Sequence, residues 1–217
     1  MKTRLGSMSS ALALSVLLVV AMVPQPTRAG LDISLGAAVH TGDDTDVYLA
    51  VSTRYFDRDR ADVDRWNREC RNPDDLAVAL FIASHCGKGP DAIFAMHKGG
   101  PSWWDVSVRL GVQPDVWFVP VQHDPGPPYG KAYGYYKKHG HNTAKMQLSD
   151  ADLRNLVAVR MLHDYYGVSA EVAMDWRSSG RSLREIMANE YRARHGKSQH
   201  ASGKSPSHGH GKAKHRR

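Results

Sequence analysis

Apolar positions along the chain fall into blocks separated by glycine. Residues 76–83, LAVALFIA, are apolar without interruption. Taken alone, such a block suits either a buried strand or a buried helix. Residues 153–162 favour the helix. There Leu153, Leu156, Val157, Val159, Met161 and Leu162 are interleaved with Arg154, Asn155 and Arg160, the spacing of a broad helical stripe. The two blocks correspond when the sequence is displaced by 80 residues without gaps. Leu76 then falls on Leu156, Gly87 on Gly167, Gly100 on Gly180, Ser102 on Ser182, Asp105 on Glu185 and Val106 on Ile186. A displacement of 30 places Val63 on Ile93, Trp66 on Met96, Cys70 on Gly100 and Asp75-Leu76 on Asp105-Val106.

These correspondences predict a mainly α fold of three chained helical repeats of about 30 residues, in which neighbours share a helix and a core. The copies fall near 45–75, 75–105 and 155–185. Local signals agree. Asn72-Pro73-Asp74-Asp75 is a helix start, with proline early and acids in the first turn. Ser149 with Asp152 is a capping-box-like entry, and Ser102 and Ser182 are candidate N-caps. Gly87, Gly100, Gly167 and Gly180 suit left-handed helix stops.

The rest of the chain departs from this pattern. Residues 1–29 have the grammar of a signal peptide: Lys2 and Arg4, an apolar run from Ala11 to Val23, then Thr27-Arg28-Ala29 before a cut at Gly30. As helix the run spans about 20 Å, short of the ~30 Å hydrocarbon core. No later stretch is apolar enough to span a membrane, so the mature chain is expected to be periplasmic or secreted. Residues 30–44 read as an extended segment, with Leu31, Ile33, Leu35, Ala37 and Val39 alternating as in a strand. Repeats one and two occupy 45–112 and repeat three 149–193. Between them, 113–148 is a long loop insertion rich in proline, glycine and tyrosine, with Val116–Val121 as a short strand or extended piece. It reads either as a lid packed over the repeats or as a ligand surface. Its candidate binding residues are Trp117, Tyr129, Tyr133, Tyr135 and Tyr136. Residues 194–217 are nearly free of apolar side chains and are expected to be disordered.

Charge sharpens the picture once it is partitioned. Of the formal net charge of +7, the first 29 residues carry +3 and the stretch from Arg192 onward +8, leaving −4 on Gly30–Tyr191. A basic tail on an acidic body predicts salt-sensitive attraction to anionic surfaces. The loop sequence GPPYGKAYGYYKKHGH, the preceding DVWFVPV and the flanking repeats resemble a group of exported, uncharacterised bacterial proteins over about residues 45–190. The resemblance implies export and a helical body, and no activity. Cys70 in a glycine slot and the His-rich tail depart from that pattern.

The stretch GVSAEVAMDWRSSGRSLREIM (167–187) has the outline of a DNA-binding helix-turn-helix. His163 stands where that motif needs a small residue and Ala173 where it needs a large aliphatic one. In the better-fitting second copy, the helix PDAIFAMH offers no cation to a phosphate. DNA is therefore not expected as a partner. A disulfide is not expected either. Asp74 to Cys86 rises about 18 Å as helix, residues 70–74 reach back at most about 14 Å, and a bridge needs Cα atoms about 5.5 Å apart. The body histidines, among them His123 and His139, show no metal-ligand spacing, and no nucleophile motif or phosphate loop occurs. The tail is the better metal candidate: His200, His208, His210 and His215 could gather Zn, Ni or Cu weakly. No other cofactor is expected. Three functional classes follow: an exported non-enzymatic interaction or structural protein that meets anionic envelope polymers or a protein partner, a periplasmic metal binder using the tail, and an enzyme with its site between loop and repeats.

Overall fold

The computed structural model describes residues 43–140, 142 and 145–201, with side chains through Arg194. Among them are nine α-helices and no strand. In chain order they are α1 (Asp44–Tyr55), α2 (Arg60–Glu69), α3 (Asp75–Cys86), α4 (Pro90–Lys98), α5 (Trp103–Arg109), α6 (Gly130–His139), α7 (Asp150–Tyr166), α8 (Ala170–Ser178) and α9 (Leu183–Ala201). The fold is mainly helical, and no described helix is long and apolar enough to cross a membrane.

The core forms around α3. Every residue from Asp75 to Ala83 is buried, as an unbroken apolar run requires. The helix packs against α4, α5 and α7. Farther out, α1 lies along α9 and α8 covers α7. Polar bonds fix these seams. Arg154 Nε on α7 donates to Asp75 Oδ1 on α3 at 2.6 Å. Arg177 Nη2 on α8 reaches both Asp74 Oδ2 and Asn155 Oδ1 at 3.0 Å. Tyr55 of α1 donates to Asp164 Oδ2 of α7 at 2.7 Å.

Helix ends follow the local chemistry. Asp43 caps α1 by accepting from Thr45 N and Asp46 N. Ser102 with Asp105, and Ser149 with Asp152, form reciprocal capping boxes at α5 and α7. Gly87 and Gly167 end α3 and α7 in the left-handed conformation, with φ 69° and 67°. A displacement of 80 residues carries Pro90–Lys98 onto Ala170–Ser178, end for end. Asp57, the one non-glycine with positive φ (51°) among the described residues, stands 30 positions before Gly87.

The described structure changes the boundaries in four places. Residues 43 and 44 belong to the cap and first turn of α1, and the rest of the expected extended segment lies outside the described residues. Residues 113–148 hold a 3₁₀ turn (Pro114–Trp117) and the helix α6, where a loop was expected. Glycine and proline mark turns in composition, but Tyr129, Ala132, Tyr133 and Tyr136 recur at helical spacing and supply an apolar stripe. Of Val116–Val121, the first two residues belong to the turn. The backbone of α9 continues to Ala201, through the start of the tail expected to be disordered.

Candidate functional site

Two places in the described structure could meet a ligand: the outer face of α6 and a cleft beside α3. The first is built on aromatic packing. Arg160 on α7 donates from Nη2 to the carbonyls of Val116 and Phe118 at 3.0 and 2.7 Å, tying the segment before α6 to the core. Phe118 then stacks on Tyr136, with centroids 4.3 Å apart, and meets Tyr133 edge-on at 5.0 Å. The Tyr133 hydroxyl donates to Val119 O at 2.8 Å, and burial pushes this phenol up to about 12. Gly130 lets α6 begin close to the preceding turn, because a Cβ there would stand 2.7 Å from Pro125 O.

The opposite stripe of α6 is Lys131, Gly134, Tyr135 and Lys138, again at i, i+3, i+4 and i+7. The two lysines and the glycine are exposed and Tyr135 is half-buried. Lys131 Nζ lies 5.8 Å from the centre of the Tyr135 ring, and that ring stacks loosely on His139. Neither Lys131 nor Lys138 has a carboxylate partner among the described residues. Lys137 pairs with Asp124 at 2.9 Å, a fully solvated contact of small energetic weight. A Cβ on Gly134 would meet nothing within 4 Å, so no contact among the described residues requires this glycine. In mid-helix it costs about 0.5–1 kcal/mol relative to alanine.

The cleft, of about 480 Å³, opens between the end of α2 and the start of α5. Its walls include Cys70, Asp75, Phe94, His97 and Trp103. Trp103 is fully buried, and the His97 ring stacks on it at 3.7 Å with an 11° tilt. His97 Nδ1 faces the carbonyl of Pro101 at 2.9 Å, which makes it the protonated nitrogen and leaves Nε2 as the second ring position. The Cys70 thiol donates to Trp66 O at 3.3 Å. Burial, with the charges of Asp75 and Glu69 against that of Lys98, pushes this thiol up to about 12. It is therefore a neutral thiol at physiological pH rather than a nucleophile. Glu69 and Lys98 pair at 2.7 Å at the mouth.

The aromatic residues singled out from the sequence divide between inside and outside. Trp117, Tyr129 and Tyr133 are buried in the core, whereas Tyr135 and Tyr136 are half-buried. His123 is exposed and His139 half-buried, and neither lines the cleft, whose walls all come from residues 69–103. His208, His210 and His215 lie outside the described residues, and His200 is described only by its backbone in α9. No group of three or more His, Cys, Asp or Glu among the described residues is placed to hold a metal ion. Both thiols are free. Sequence reasoning did not find the cleft. Its one trace is substitution at corresponding positions: Cys70 where Gly100 and Gly180 stand, and His97 where Arg177 stands. No protein-family model, curated protein or solved structure matches the chain.

Proposed function

We propose that the chain is an exported, non-enzymatic interaction protein of the bacterial envelope, and that it meets anionic envelope polymers through the outer face of α6. The observation behind this reading is the stripe of Lys131, Gly134, Tyr135 and Lys138 on one solvent face. The ammonium groups answer carboxylate or phosphate, the half-exposed ring answers the C–H face of a sugar, and the bare glycine admits close approach. Trp117, Tyr129 and Tyr133 act behind this face, as a rigid platform that holds Tyr135 and Tyr136 in place. The cationic run from Arg192 onward adds a longer-range, screened attraction of the same sign. The leader sequence supports export, and the coinciding boundaries of α4 and α8 support descent of α3–α5 and α7–α9 from one helical unit.

Retention on an immobilised polyuronate, eluted with salt, tests the reading. The full chain is compared with a chain ending at Ala201, each with and without Lys131→Glu and Lys138→Glu. The double reversal is expected to lower the eluting salt concentration in both backgrounds. Loss of all retention on shortening, with no effect of the reversal, would assign binding to the tail alone and reject the α6 face.

A further inference from the structure

Residues of the cleft beside α3 have counterparts by sequence displacement in the second half of the chain, and the two sets differ where His97 stands against Arg177. A displacement of 80 residues carries Asp75 onto Asn155, His97 onto Arg177 and Pro101 onto Arg181. His97 Nδ1 and Arg177 Nη1 make the same local bond, each to the carbonyl four residues on, at 2.9 and 3.0 Å. Arg177 has a second nitrogen to spend. Its Nη2 bonds Asn155 Oδ1 and Asp74 Oδ2, and the side chain is only 11% exposed. A guanidinium thus occupies the second half's version of the site. In the first half the shorter His97 stops at Pro101.

Asp75 is the group left waiting. Trp103 Nε1 and Arg154 Nε both donate to its Oδ1, at 2.8 and 2.6 Å. None of the described residues donates to Oδ2, although the side chain is 9% exposed and lines the cleft. A carboxylate oxygen that faces a confined cleft favours a charged donor. The walls beside it are planar: Trp103 with His97 stacked on it, and Phe94. Such faces hold a flat cation well. Burial is the main cause of the upward push on the Cys70 thiol, and the negative charges of Asp75 and Glu69 add to it against Lys98.

We propose that this cleft binds a guanidinium-bearing ligand, with Asp75 Oδ2 as its acceptor and the open side of His97, backed by the buried Trp103, as its stacking face. This binding is independent of the α6 surface. Arg71 also lines the cleft and is exposed, so it is the chain's own competing cation.

Calorimetric titration of the full chain with agmatine, Nα-acetyl-arginine amide and the uncharged isostere citrulline tests the proposal. The first two are expected to saturate one site, and citrulline to bind at least about tenfold more weakly, as loss of a charge-assisted bond implies. His97→Arg places the counterpart guanidinium inside the cleft. It is expected to cut agmatine affinity at least about tenfold while the melting temperature holds or rises. Asp75→Asn is expected to lose affinity likewise; because Asp75 also anchors Arg154, the His97→Arg result decides if that variant does not fold. Arg71→Ala leaves affinity unchanged or raises it. A Gly-Arg-Gly peptide binding as well as agmatine identifies a protein arginine as the ligand, and agmatine alone a free guanidine. Equal affinity for citrulline, undiminished binding by His97→Arg, loss of binding in Arg71→Ala, or no saturable heat with any guanidinium probe would each overturn the proposal.

Discussion

Asp75 illustrates what single residues do here. In the sequence it is one of two acids at a helix start. In the fold it is the meeting point of α3, α5 and α7, because Trp103 and Arg154 converge on it from 28 and 79 residues away. Removing one partner of such a pair strands the other charge, so Arg154→Ala is expected to cost about 3–5 kcal/mol in urea unfolding. Gly134→Ala acts in the opposite sense. It fills open space in mid-helix and is expected to raise stability by about 0.5–1 kcal/mol, read as a higher melting temperature. Cys70, pushed up to about 12, holds little thiolate at pH 8. Iodoacetamide should therefore modify it far more slowly in the native chain than in urea, with mass spectrometry as the readout. The raised value also has a sign for stability. An unfolded thiol ionises near pH 8.5 and the folded one near 12, so this contribution is present below about pH 8.5 and is lost as pH climbs between the two. None of these roles was legible in the sequence, since burial by distant partners leaves no local pattern.

At the scale of elements, the sequence was far more informative. Serine followed three residues later by aspartate announced α5 and α7, and glycine announced the ends of α3 and α7. These signals are legible because caps and stops are local chemistry. Ser149→Ala is expected to cost about 1 kcal/mol, with the change confined to α7 amides in hydrogen exchange. The helix α6 was missed for the converse reason. Its glycines and the prolines ahead of it dominate the composition, whereas its core stripe is tyrosine, which propensity alone does not mark as helical. Packing against Phe118 overrides that weak preference. The cleft was invisible because its walls come from the end of α2, the segment after it, and α3, α4 and α5, and their meeting leaves no local pattern in the sequence.

The molecule as a whole is sewn together by partners distant in sequence. The helix α1 lies on α9, α3 on α7, and Asp44 pairs with Arg192. The shared face of α3 has no substitute for α7 earlier in the chain. A polypeptide ending at residue 148 would leave the α1–α9 and α3–α7 seams half made, one flank of α1 and one of α3 in water, and such a fragment is expected to remain unfolded by circular dichroism. Supplied separately, residues 149–217 should restore the helical signal by association, as the missing half of a split protein does. In a nascent chain the same dependence postpones assembly until α7 is available, so the emerging N-terminal half must be shielded from aggregation while it waits.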